Sequence, residues 1–221
     1  MDSVSGVGVL DKAIGVLRAL RHDGPLGLAE LQHATGLPRA TAHRLAVALE
    51  DHGLVRRDAG GRFCLGFELI AMGRAAAEAF PLGELARPAM LALRDRTGEG
   101  VQLFVREGDE RRCVVSLQSP HGLRWIVPEG ARLPLHIGSA GHVLGEPPRG
   151  EWVESVEERE AGVASVSAPV IGRDGGVIAA VSVGGPVERL TRKPGERFGA
   201  EVVRTAAELS RILGESQAGM R

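Results

Sequence analysis

Leu10, Ala13, Ile14, Leu17 and Leu20 recur at the three- and four-residue spacing of an amphipathic helix, and the pattern stops at the Asp23-Gly24-Pro25 breaker. A short helix is predicted from Leu28 to Thr35, with Gly36 at a turn behind it. Pro38 then opens a helix in which Ala42, Leu45, Ala46 and Leu49 share one apolar face. Ala40, Arg44, Val47 and Asp51 stand opposite, with Thr41 and His43 at the flanks. Proline suits a first helical turn, where its missing N–H would have had no partner. Leu54-Val-Arg-Arg and Arg62-Phe-Cys-Leu, separated by Asp58-Ala-Gly-Gly, read as a hairpin. Helix, tight turn, helix and Arg-bearing hairpin is the layout of a winged helix-turn-helix, whose later helix lies in the DNA major groove.

Helical character returns from Phe67 to Phe80, which predicts a linker helix that fixes domain spacing better than a flexible tether. Pro81 opens a further helix with apolar Leu85, Ala89 and Leu93, ending at Thr97-Gly98. After residue 100 the period shortens. Val101–Arg106 and Arg112–Leu117 read as a strand hairpin, Leu123–Val127 as a third strand, and Val163–Ile171 with Val177–Val183 as a second hairpin. Phe198–Leu213 closes with a helix bearing Val202, Val203, Ala206, Leu209 and Leu213. The fold class is therefore α+β, with a mostly antiparallel sheet in the larger part. The expected division is 1–66 for the winged helix-turn-helix, 67–80 for the linker helix and 81–221 for a sensor-like domain.

Composition bounds this picture. A length of 221 residues suits one small and one larger domain, and 43% hydrophobic with 25% charged residues supports buried cores. The longest apolar runs are too short to span a bilayer, and no basic segment followed by an apolar core begins the chain, so a cytoplasmic, non-membrane protein is expected. Cys64 and Cys113 form no metal motif, and no cofactor is implied. Residues 1–66 carry eight Lys+Arg against seven Asp+Glu, net +1, and the remainder nineteen against twenty-one, net −2. There is no global basic footprint, so placement decides. Arg39, Arg44, Arg56, Arg57 and Arg62 all fall on the reading helix or the wing, where they can meet phosphate. Asparagine is absent, which shifts base reading toward Arg-to-guanine contacts. The expected DNA-binding set is Pro38, Arg39, Thr41, His43, Arg44, Arg56, Arg57 and Arg62.

Several longer segments, in order, resemble one family. They are Gly36-Leu-Pro-Arg-Ala-Thr-Ala-His-Arg-Leu, Leu49-Glu-Asp-His-Gly-Leu-Val, Leu133-Pro-Leu-His with Gly138-Ser-Ala-Gly, the run from Glu158 to Val170, and Ala180-Val-Ser-Val-Gly-Gly-Pro. Together they resemble the IclR family of bacterial transcription regulators over roughly residues 6 to 214. The resemblance implies a GAF-like effector domain behind the winged helix-turn-helix, a homodimer or homotetramer, and a double-stranded DNA operator as partner. Gly6–Ala13 and Gly185–Gly195 are most similar to an actinobacterial branch that controls leucine and other amino-acid biosynthesis genes. It also implies a small-molecule pocket using Ser139 and Ala140 through backbone amides, then Ser155, Ser165, Ser182 and Gly184. Small hydroxyls and free N–H groups suit a carboxylate or amino-acid effector. Two departures stand out: Ala40 where the family has Ser, and a shortened connection from Gly145 to Trp152.

Other chemistries fit the sequence less well. His136 and His142 flank Ser139, yet Ile137-Gly-Ser-Ala-Gly is not a nucleophile elbow. His121, His136 and Glu129 match no metal-ligand spacing, Gly6-Val-Gly8 lacks the dinucleotide fingerprint, and Glu151–Glu160 reads as a solvated acidic face. No catalytic residue is expected. One alternative stays open beside the regulator: a sensor that acts through protein contacts and has lost DNA binding.

Overall fold

The first amphipathic pattern forms α1 (Gly8–Asp23) in a computed structural model that describes residues 7–79, 82–146 and 150–216. Val16, Ala19 and Leu20 of α1 pack with Leu31 of α2 (Leu28–Thr35) and with Ala42, Leu45, Ala46 and Leu49 of α3 (Arg39–Asp51). Glu30 reaches back to the Gly27 amide at 2.7 Å and starts α2. Gly36, at φ +65°, ends it in a left-handed turn that side-chain-bearing residues rarely adopt. Pro38 differs slightly from expectation. It stands one position before the helix in extended backbone, and its carbonyl takes the first helical bond, from Ala42 at 2.9 Å. The hairpin pairs β1 (Val55–Arg57) with β2 (Phe63–Leu65), and Val55 and Phe63 complete the core. After it runs α4 (Glu68–Ala79), on which Ile70 and Met72 are exposed. Phe80, the expected end of the linker helix, lies outside the described residues, as does Pro81.

Two compact units result, one within residues 1–79 and the other within 80–221. The second opens with α5 (Leu82–Thr97) and holds a six-stranded antiparallel sheet. Its strands are β3 (Gly100–Glu107), β4 (Glu110–Leu117), β5 (Arg132–Pro134), β6 (Val153–Val156), β7 (Val163–Ile171) and β8 (Val177–Pro186), in the order β5-β4-β3-β8-β7-β6. Between them lie α6 (Ser139–Gly145) and α7 (Val187–Leu190), and α8 (Pro194–Ser216) ends the unit.

Strand alternation gives the sheet two unlike faces. Val101, Leu103, Val166, Ala168, Val181 and Val183 face Leu93 and Met90 of α5 and Val202 and Leu209 of α8 in a dry core. The other face carries Gln102, Ser182 and Ser167 in one cross-strand row, and Gly184 and Ser165 in the next, with Ser155 beyond. Beside these, Phe104, Cys113 and Ala180 pack under α6.

Leu123–Val127 is not a strand. Residues 118–131 form no regular structure, Leu123 is 73% exposed, and Arg132–Pro134 takes the edge of β4 instead. That segment crosses the polar face, where Trp125 and Val127 pack, so its apolar residues serve coverage rather than pairing. The acidic run Glu151–Glu160 is also more than a solvated face, because β6 lies inside it.

Candidate functional site

Arg39, His43 and Arg44 project from the exposed side of α3, with Thr41 half-buried beside them. Exposure follows from the apolar face opposite, which is fully committed to the core. Neither Arg39 nor Arg44 has an ion-pair partner among the described residues. The wing differs. Arg57 Nε donates to Glu50 at 3.2 Å and its guanidinium lies 4.2 Å from the Phe63 ring centre, with the His43 ring on the same Phe63. Arg62 pairs with Asp58 at 2.8 Å, while Arg56 stacks on Phe67. Asp58 also accepts the amides of Gly60 and Arg62, each at 2.9 Å, which folds the tip. Among the five expected DNA-binding arginines, Arg39 and Arg44 on the helix carry no ion pair among the described residues, Arg57 and Arg62 on the wing are paired with carboxylates, and Arg56 is held only by its stacking on Phe67.

In the second unit a small cavity of about 30 Å³, room for one or two waters, opens on the polar face of the sheet. Ser139, Ala140, Ser155, Ser165 and Ser182 all line it. Gly184 does not; it lies beneath Trp125, whose ring edge comes within 3.5 Å of where a Cβ would stand. Ser139 Oγ bonds both Ser165 Oγ and Ser167 Oγ at 2.7 Å, linking α6 to β7. Its hydroxyl is therefore engaged by serines rather than by the flanking His136 or His142.

Four charged groups at this cavity, Arg111, Glu158, Arg159 and Glu160, were absent from the expected set. Arg111 is 4% exposed, and its Nη1 donates to the carbonyls of Pro134 and Ile137, the latter at 2.7 Å. Burial pulls its pKa down to about 10, with the nearby Arg159 charge adding to the effect and Glu158 opposing it. One arm of its guanidinium and the Leu135 carbonyl leave no room for a side chain at Gly141, and the other arm lies 3.1 Å from where a Cβ of Gly138 would stand, a tight fit at a residue whose φ of +80° already favours glycine. Arg111 Nε finds no acceptor among the described residues. Glu158 accepts from the Gly138 amide at 2.5 Å, Ser155 Oγ at 2.8 Å and His142 Nε2 at 2.8 Å. Burial alone would raise its pKa; the three hydrogen bonds and the His142 charge outweigh that and hold it below its ordinary value. Arg159 lies 4.3 Å over the Trp125 ring, and Trp125 Nε1 donates to Glu160 at 2.8 Å, closing the mouth.

Residues 147–149 of the shortened connection lie outside the described residues. Among the described residues no cluster of His, Cys, Asp and Glu could hold a metal, and no helix is long and apolar enough to cross a membrane.

Comparison with known proteins agrees with both units. The IclR helix-turn-helix domain matches residues 9–59, and the bacterial transcriptional regulator IclR C-terminal domain matches residues 74–147 and 148–211, interrupted inside the shortened connection. The glycerol operon regulatory protein of Streptomyces griseus is 30% identical, over 93% of this chain and 96% of its own. The HTH-type transcriptional regulator KipR of Bacillus subtilis is 26% identical, over 92% and 96%. An IclR homologue of Microbacterium hydrocarbonoxydans, solved in complex with 4-hydroxybenzoate, superimposes with a TM-score of 0.77 at 22% identity, covering 93% of this chain and 98% of that one. A winged reading unit and a curled antiparallel sheet, joined in this order and matched along nearly their whole length, place the chain in the IclR family of bacterial DNA-binding transcriptional regulators.

Proposed function

We propose that operator binding by this regulator is modulated by a small carboxylate or amino acid held in the cavity of the second unit, with residues 1–66 as reader, 67–80 as connector and 81–221 as sensor. The observation that carries the reading is the convergence of Ser139, Ser155, Ser165 and Ser182 with the buried Arg111 on one cavity. A buried cation ringed by hydroxyls favours a small anion. The complex of the Microbacterium protein of the same fold with 4-hydroxybenzoate supports a carboxylic acid as the ligand class. A ligand shifts operator affinity only if it binds two arrangements of the chain unequally, so operator DNA must change effector affinity by the same factor.

Exposed apolar side chains support a homodimer. Val9, Leu10 and Ile14 on α1 and Phe67, Ile70 and Met72 at α4 leave large apolar area in solvent within one unit, which a second copy would cover. Two reading helices then meet major grooves about one turn of DNA, or multiples of it, apart. As to target genes, the similarity of Gly6–Ala13 and Gly185–Gly195 to an amino-acid-biosynthesis branch supports operons of that kind, leucine among them. The glycerol operon named for the Streptomyces relative is the competing assignment.

Footprinting upstream of the protein's own and neighbouring genes, repeated across amino acids and short or aromatic carboxylic acids, tests the reading. A protected near-palindromic site whose affinity moves with one such acid is the expected result. Absence of any protected site would leave a sensor acting through protein contacts; a site indifferent to every acid would remove the effector.

A further inference from the structure

The carboxylate of Glu158 stands where an incoming carboxylate would have to go. It takes the Gly138 amide and the Ser155 hydroxyl at the cavity mouth, with His142 behind it. Both donors are already taken by Glu158, so an acid's carboxylate can reach them only if a side chain leaves. Ser139, Ser165 and Ser167 are tied together in the floor, and Arg111 is fixed by backbone carbonyls, so neither set can yield cheaply. Glu158 can. Its side chain is 38% exposed, so withdrawing it into water costs little solvation. It also sits on a short loop that turns at Glu157, a non-glycine residue at φ +56° held by Arg192 at 2.9 Å and by the Gly162 amide at 3.1 Å. One donor is left over: Arg111, 4% exposed, is among the residues that line this cavity, and its Nε is not used by Glu158 or by any other described residue.

We infer that Glu158 is an internal occupant of the carboxylate subsite, and that a small carboxylate binds by displacing it and engaging the unused Nε of Arg111. The inference rests on the effector reading above and deepens it. Ligand entry and loop release become one event, because Arg159 and Glu160, the next two residues, hold Trp125 across the mouth.

The chain has two tryptophans, so its indole N–H groups give two resolvable NMR signals, assigned by Trp125→Phe. In full-length protein, Glu158→Ala and the isosteric Glu158→Gln should shift the Trp125 signal toward that of solvent-exposed indole. Sodium acetate, against sodium chloride at equal ionic strength, should move the Trp125 signal of the parent in the same direction, leave that of Glu158→Ala where the substitution put it, and bind the variant at least tenfold tighter than the parent. The Arg111 Nε–H signal should move on acetate binding. Unchanged Trp125 signals in both variants, or equal acetate affinity in parent and variant, would overturn the displacement; acetate binding without movement of Arg111 Nε–H would overturn its part. Benzoate separates the two readings. Benzoate bound equally by parent and variant keeps the effector pocket and sinks the displacement. Tighter acetate binding by Glu158→Ala, with no effect of benzoate or any other acid on operator affinity, keeps Glu158 in its place and sinks the effector reading.

Discussion

Arginine serves opposite ends in the two units. On α3, Arg39 and Arg44 stand in solvent with no counter-charge among the described residues, whereas Arg111 in the second unit is buried and bonded to backbone carbonyls. An exposed guanidinium costs the fold little and keeps its charge for a polyanion, whose phosphates then release counterions. A buried one must be satisfied by the fold itself, and Arg111 is so satisfied at Nη1 but not at Nε. The wing lies between these limits, since Arg57 and Arg62 are exposed yet already paired. The difference teaches that charge count says little about function here; the degree to which each cation is already satisfied says more.

The largest effect should come from the buried member. Arg111→Ala removes the donor to Pro134 and Ile137 and opens a hole beside Phe104, Gly138 and Gly141, so a loss of about 2 to 5 kcal/mol is expected. Urea denaturation followed by tryptophan fluorescence reads it directly, because Trp125 and Trp152 both belong to the second unit. A loss below about 1 kcal/mol would mean that the 134–141 segment holds itself and that Arg111 is not its brace. Arg44→Ala should leave the same denaturation curve unmoved while weakening operator binding by about 1 to 3 kcal/mol and random-sequence binding far less. Equal losses on both DNAs would assign Arg44 to phosphate instead.

Helical periodicity made the reading unit legible: Ala42, Leu45, Ala46 and Leu49 are the buried residues of α3, as their spacing requires. The helix and hairpin patterns of the second unit were equally readable, while short elements were not. Leu123–Val127 has strand composition, but an apolar segment that covers a sheet face looks the same in sequence as one that joins the sheet. Arg111 carried a faint signal. Burial alternates along β4 through Arg111, Cys113, Val115 and Leu117, and extending the apolar alternation back by two residues puts Arg111 inside. A register shift opposite Leu103 and Phe104 then turns Cys113 to the pocket face while Val115 stays on the dry one, and no local pattern announces it. Glu158 was hidden among neighbours of the same charge, and only the fold separates it from Glu157 and Glu160.

A smaller effect is expected on the wing. Because Arg62 is held by Asp58, Arg62→Ala should lower the slope of log affinity against log salt by no more than about 1, alike on operator and random DNA. A slope change well above that would show that Arg62 leaves Asp58 when DNA arrives.

Acid should loosen the same wing before it touches the reading helix. The Arg62 amide bond is the main reason Asp58 titrates below its ordinary value, with burial opposing and the Arg62 side chain and the Gly60 amide assisting. A carboxylate whose folded pKa lies below its unfolded one contributes stability above the unfolded value, roughly pH 4, and loses that contribution as pH falls through the folded one. The hairpin tip should therefore keep its amide protection at pH 5 and surrender it only below about pH 4. Hydrogen exchange at Gly60 and Arg62 follows the change, with Ala42 and Leu45 in α3 as internal references that stay protected. The depression also belongs to Glu158, so both carboxylates should titrate late by carbon-13 NMR. Asp58→Asn separates local capping from global acid unfolding, because the amide oxygen can still accept from Gly60 and Arg62 but cannot titrate. Tip exchange in that variant should be independent of pH across the window in which the parent changes, once intrinsic exchange is divided out. A variant whose tip still opens with the parent's pH profile would place the acid sensitivity elsewhere in the unit and leave Asp58 as one hydrogen-bond acceptor among others.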